Sequence, residues 1–307
     1  MKPFSTEAFI QAQSYVNTYG RPVDQARLAY HFLDGSSADV ISALAAYQNE
    51  DGGFGHALEA DLRTSASSAV ATQQGFNILR EVGATSAEPL VSKAVTYLLN
   101  TLDREELRWE IVPPAVEDAP HAPWWTYGAS AGSSDGFRAN PRAALVGFLC
   151  EYQSLVPATL LTQLINVQIA HLMSQPANEG IDMHALPCYV TLAQSPNLPQ
   201  VQRDQLVQAL VQRVTGVVVT DPTAFADYGL LPLDVAPTPD ALLAHTVDRG
   251  AVDAHLDYLL ETQLADGSWP LPWSWAFVDE MAWAQAERDW KGSIIVNRLC
   301  TLRAWGK

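Results

Sequence analysis

Two twelve-residue segments far apart in the chain share one pattern, and that pattern constrains the fold more than any other feature. LAAYQNEDGGFG (44–55) and LLETQLADGSWP (259–270) both read Leu-x-x-x-Gln-x-x-Asp-Gly-(Gly/Ser)-aromatic. The matched positions are Gln48 with Gln263, Asp51 with Asp266, Gly52 with Gly267, and Phe54 with Trp269. Asp-Gly ends a helix, the glycine takes a positive φ, and the aromatic folds back on the helix it follows. The glutamine amide is placed to bond backbone groups freed at the helix end. A repeated unit of this kind implies helical hairpins that bury their faces by stacking on one another.

The surrounding sequence agrees. Segment 6–20 carries Phe9, Ile10, Gln13, Tyr15 and Val16 at helical spacing and stops at Gly20. Segment 22–35 opens on Pro22 and stops at Gly35, and the next begins on Ser36 or Ser37 as cap. Further helices are predicted near 65–82, 87–101, 140–154, 157–174, 182–194, 199–215, 239–246, 250–264 and 290–304. Only GVVVT at 216–220 reads as a strand. The expectation is an all-α single domain over 1–307 with a long loop insertion at about 109–140. That loop holds Trp124, Trp125, Tyr127 and Phe137, which argue for a packed or ligand-contacting segment over a disordered one.

Lys plus Arg is 18 against 34 for Asp plus Glu, a net charge of −16, which repels phosphate backbones and anionic lipid. Nucleic acid is therefore excluded as a partner. No run of apolar residues is long enough for a membrane span, and the N-terminus lacks the apolar core of a secretory signal. Cys150, Cys188 and Cys300 lie far apart in apolar settings and read as reduced thiols of a cytoplasmic protein. Oligomeric state is left open.

Gln, two or three residues, then Asp-Gly-(Gly/Ser)-(Phe/Trp) resembles the glutamine–tryptophan repeat of terpenoid cyclases and protein prenyltransferase β subunits. The resemblance implies an α/α toroid, an inner ring of helices inside an outer one, built from about six hairpins. QNEDGGFGHALEADLR, HAPWW, RANPRAALVGFL and WKGSIIVNRLCTLRAWG are also similar to a bacterial branch of such toroid proteins. The resemblance implies a small-molecule ligand, an isoprenoid, in a central cavity. It does not extend to chemistry: the Asp-x-Asp-Asp acid of one cyclase class and the Asp-rich metal sites of the other are absent.

The candidate site is HALEADLR, which has no second copy. Glu59, Asp61 and His56 are the catalytic candidates. Arg63 beside them favours ionised carboxylates and so weakens either acid as a proton donor. Asp51, His56, Glu59 and Asp61 are the residue types that hold a cation, but their spacing defines no metal site, and no cofactor is predicted. Arg63, Trp124, Trp125, Trp273 and Trp275 are the candidate ligand contacts, because indole faces stabilise cations or stack on sugars as well as pack. His121 shares the HAPWW loop. Acids near the second tryptophan cluster, Asp279, Glu280, Glu287 and Asp289, keep open a carbohydrate-active barrel with paired carboxylates. A non-catalytic binding protein is the third reading.

Overall fold

A computed structural model describes residues 4–128 and 139–307, so the expectation placed on Phe137 lies outside the described residues. Within them the regular structure is helical, with twelve α-helices, short 3-10 turns, isolated β-bridges and no strand. The helices are α1 (Thr6–Tyr19), α2 (Pro22–Phe32), α3 (Ser37–Ala45), α4 (Ala69–Glu81), α5 (Pro89–Thr101) and α6 (Arg142–Glu151). They continue as α7 (Ala158–Ser174), α8 (Ala185–Gln194), α9 (Gln200–Val214), α10 (Pro232–Val235), α11 (Arg249–Glu261) and α12 (Glu280–Ala304). The chain divides into two compact units. One comprises residues up to Ala43 with Val214–Lys307, the other Leu44–Arg213, and the divisions fall in the closing turns of α3 and α9.

In the first unit α12 packs on α1 and α2. The Ser5 hydroxyl caps α1 by accepting from Ala8 N at 3.1 Å, and Pro22 opens α2, where its missing N–H costs nothing. Val16, Leu28, Leu256, Trp269, Ile295 and Val296 are fully buried in one core. Asp24, also fully buried, accepts from Arg21 at 2.7 Å and Arg27 at 3.4 Å. Arg27 in turn donates to Asn297 Oδ1 at 2.7 Å, so the ion pair is hydrogen-bonded on both sides, as burial of charge requires.

In the second unit α6 is buried from Arg142 to Cys150 and packs on α8, α7 and α4. Gly147 makes this possible, since a Cβ there would stand 2.8 Å from the Leu192 Cα of α8. Phe76 stacks on Phe148 at 5.1 Å between centroids, and Arg80 covers that ring while pairing with Glu151 at 2.6 Å. The 109–128 part of the long loop is packed rather than loose. Trp109, Val116 and Trp125 are buried, two 3-10 turns span Pro114–Asp118 and Pro123–Trp125, and Trp109 Nε1 donates to Leu98 O at 2.7 Å.

Four local expectations change. Segment 239–246 closes through i→i+3 bonds (Ala241 N to Thr238 O, Ala244 N to Ala241 O, Thr246 N to Leu243 O) and yields only a 3-10 turn at Ala244–Thr246, since eight residues are too few to sustain a helix on their own. GVVVT forms no strand: Val219 N donates to Leu230 O at 2.8 Å, but no partner segment extends the pairing. Ile10 is 56% exposed, since the buried stripe of α1 runs through Ala12, Tyr15 and Val16. The last helix starts ten residues before 290, capped by Asp279, and so takes in Trp283 as well as Trp290.

Candidate functional site

Four side-chain and backbone bonds build the turn that carries HALEADLR. Gln48 Nε2 donates to Gly52 O at 3.0 Å and to Leu90 O of α5 at 2.9 Å. Asp51 Oδ1 accepts from Gly53 N at 2.9 Å and from Ser67 Oγ at 2.7 Å. Gly52 has φ +91°, and a Cβ on it would strike the Lys93 carbonyl. Phe54 is then fully buried, its ring lodged against Gly75 of α4.

Beyond Phe54 the backbone makes an unusual move. His56 (φ 54°) and Ala57 (φ 59°) are consecutive left-handed residues without glycine. Each costs on the order of 1–2 kcal/mol, and strain of this kind gathers at functional sites. It turns the chain inward, so that Leu58, Glu59, Ala60, Asp61 and Leu62 are all buried, the two acids at 4% and 3% exposure.

Glu59 Oε2 accepts from Gln74 Nε2 of α4 at 3.2 Å, and both acids make further interactions, so neither is a bare buried charge. The loop HAPWW is laid antiparallel along this segment. Arg63 N donates to Pro120 O at 3.0 Å, Ala122 N donates to Asp61 O at 2.9 Å, and Leu62 faces His121. The fold thus joins the two segments that the sequence singled out separately. Trp125 is buried and Trp124 is 37% exposed. Arg63 is half-buried and donates to Ala60 O at 3.3 Å. His56 is exposed with Nε2 2.8 Å from Asn49 Oδ1, and His121 has Nδ1 2.8 Å from Ala119 O, so each imidazole has a structural partner.

Trp273 and Trp275 belong to the first unit. Trp275 is fully buried edge-on to Trp283 at 5.8 Å, and Trp273 meets Trp290 edge-on at 5.6 Å. The acids beside them do structural work: Asp279 caps α12 through Ala282 N at 3.0 Å, Glu287 pairs with Lys291 at 2.9 Å, and Asp289 accepts from Gln285 at 2.9 Å. Among the described residues no group of three His, Cys, Asp or Glu is placed to hold a metal ion.

Sequence reasoning missed two polar features. A recess of about 310 Å³ in the second unit is lined by Thr101, Leu102, Asp103, Arg108, Trp109, Glu110, Ile111 and Arg142. Arg142 donates from Nε and Nη2 to Trp109 O at 3.1 and 2.9 Å; its signal was a cation heading an otherwise apolar helix. The other is the group Asp234, His255 and Arg298 in the first unit, which comes from three helices and has no local signature.

No protein-family model matches the chain, and neither a curated protein nor a solved structure matches it. Among the described residues no helix is long and apolar enough to cross a membrane.

Proposed function

We propose that the chain is a terpenoid-cyclase-like α/α toroid that takes an isoprenoid into a central cavity, with Glu59, Asp61 and Arg63 at the polar end of the site and Trp124 and Trp125 as aromatic contacts. The observation that carries this reading is the buried Glu59–Asp61 segment, delivered by two strained residues and docked along HAPWW. Carboxylates in dry surroundings, on a segment paired with an indole-bearing loop, suit an electron-rich alkene or a cation derived from it: the acids set a negative potential and an indole face would add to it. The same potential opposes a bare diphosphate, which makes an uncharged isoprenoid the favoured ligand. The doubled Gln-x-x-Asp-Gly turn supports the toroid.

Thermal shift tests it. Geranylgeraniol should raise the melting temperature of wild type saturably, geranylgeranyl diphosphate should do so less, and Glu59→Gln and Asp61→Asn should abolish the shift while leaving the unliganded melting temperature nearly unchanged. If both variants unfold and no isoprenoid shifts wild type, the two acids are scaffold and the site is lost with them.

One observation favours a second reading. Trp124 and Tyr127 are 37% and 38% exposed on one loop, and Tyr127 is held by Glu110 (OH to Oε1, 2.9 Å) and Glu117 (N to Oε1, 2.6 Å). Exposed rings backed by carboxylates are what a sugar-binding surface presents. An oligosaccharide shift removed by Trp124→Ala, with no isoprenoid shift, would replace the first reading with this one.

A further inference from the structure

The first unit presents an apolar knob to solvent. Phe277, Val278 and Met281, all within the stretch 277–281, are 80%, 52% and 85% exposed. Large apolar side chains left in the open singly need no explanation, whereas a group of them marks a contact surface. The chain holds this knob rigidly. Trp275, fully buried and edge-on to Trp283, anchors its base. Val278 N donates to Trp275 O at 2.9 Å, closing a turn with Phe277 at its tip. Ala276 N donates to Ser274 Oγ at 3.2 Å, and Asp279 caps α12 by accepting from Ala282 N at 3.0 Å. A ring presented on a fixed turn loses little freedom when it is bound, so less of the binding free energy goes into ordering it.

Charge decides what kind of surface can meet the knob. Asp279 and Glu280 lie between Val278 and Met281, and from Gly250 to Glu287 the chain carries seven acidic residues and no Lys or Arg. A second copy docked on the same patch would set these acids against themselves, since a two-fold contact is self-complementary. An anionic lipid surface is opposed in the same way. A basic surface is attracted by the acids while its apolar part covers the knob.

We propose that Phe277, Val278 and Met281 form a docking site for a basic amphipathic segment of another protein. Its apolar stripe covers the Phe277 ring and the Met281 thioether, and its Lys or Arg side chains meet Glu280 and Asp279. Aromatic and methionine side chains are enriched at such contacts, and Met adapts its shape to the groove it enters. Opposite charge around the rim speeds encounter and rejects acidic partners. Three anchors make a small contact, so the complex is transient and weakened by salt.

The full chain is titrated against a fluorescent helical peptide made only of Leu and Lys and patterned to be amphipathic. Two controls accompany it: the same composition scrambled, and the same pattern with Glu for Lys. The patterned peptide should bind wild type saturably, and neither control should match it. Phe277→Ser combined with Met281→Ser should weaken binding about tenfold or more with the melting temperature unchanged, since both side chains stand in solvent. Glu280→Lys should weaken it less and flatten its salt dependence. Equal binding of the double variant, of the scrambled peptide or of the Glu version overturns the site, and so does the lack of saturable binding. Either competing occupant overturns it as well: a dimer in sedimentation velocity that the double variant abolishes, or phosphatidylcholine vesicles that bind wild type but not the double variant.

Discussion

In the unit that contains Val214–Lys307, Gln263 donates to Gly267 O within its own turn and to Ala8 O on α1, both at 3.0 Å. In the other unit Gln48 does the same with Gly52 and Leu90 of α5. The correspondence extends to the glycines. A Cβ on Gly267 would strike the Gln11 backbone, three residues past Ala8, and one on Gly52 would strike that of Lys93, three past Leu90. Asp266 accepts from Ser268 N and Oγ, as Asp51 accepts from Gly53 N and Ser67 Oγ. Each copy is a staple that closes one helix end onto a neighbouring helix at a set register.

The copies diverge after the aromatic. Trp269 Nε1 donates to Leu259 O at 2.8 Å, and the chain runs through prolines to the buried Trp275 and the cap of α12. Phe54 has no ring donor; its backbone N donates to Thr72 Oγ1 at 3.1 Å, and the chain then turns through His56 and Ala57 to bury Glu59 and Asp61. The repeated turns are scaffold, and the segment His56–Arg63, which only one copy carries, is the candidate for function.

The largest effects should come from the paired glycines. Gly52→Ala and Gly267→Ala each combine a positive φ with a backbone collision and should cost about 2–4 kcal/mol. Gly83→Ala, at φ +69° with nothing within 4 Å, should cost about 1 kcal/mol. Urea titrations that give all three the same small loss would break the staple account.

Trp269→Phe strands the Leu259 carbonyl and removes buried ring area, for about 2–3 kcal/mol. The other copy should resist the reverse exchange. Gly75 already lies so close that a Cβ there would come within 2.7 Å of the Phe54 ring, so Phe54→Trp has no room and should also destabilise. Equal stability of Phe54→Trp and wild type by calorimetry would show the two aromatic slots to be interchangeable.

Acid should separate the units. His255 has a folded pKa of about 3, below the unfolded value of about 6.5, so the unfolded chain binds the extra proton. Stability from this group is complete above pH 6.5 and is lost as pH falls toward 3. Asp234, whose carboxyl is raised by the protein packed around it although the residue is exposed, acts in the opposite sense, gaining its proton more readily when folded. Between pH 7 and 5 wild type should lose about 2 kcal/mol more than His255→Asn. Hydrogen exchange should show the loss in peptides from α11 before those from α4, and identical pH profiles for the two proteins would refute it.

The smallest effects belong to the amides. Gln48→Ala and Gln263→Ala each remove two bonds to backbone carbonyls and should cost about 1–2 kcal/mol. The test is their likeness: a cost confined to one copy would mean that the shared geometry is not shared energetics.

Much of this is legible in the chain itself. Helices announce themselves through caps and breakers, as at Ser68, which caps α4 by accepting from Ala71 N at 3.1 Å. The helix start at Asp279 is obscured because its acids and tryptophans also suit site chemistry, when one acid is a cap, another an i,i+4 ion pair, and the indoles pack. The candidate acids stand out by their lack of a second copy. Their burial was not foreseeable, since alternation of Glu59 and Asp61 with apolar residues describes a solvated strand as well as an inward turn.

Local rules therefore settled what the sequence could say alone: that the chain is helical, where most of its helices stop, and that Gln48–Phe54 and Gln263–Trp269 are the same device. Those properties depend on atoms within a few residues of one another. Tertiary structure decided the rest. It chose Leu90 and Ala8 as the carbonyls each glutamine finds, laid HAPWW along Asp61–Arg63, and gathered Asp234, His255 and Arg298 from three helices. Each of those depends on groups brought together from distant parts of the chain, where only packing sets the distance.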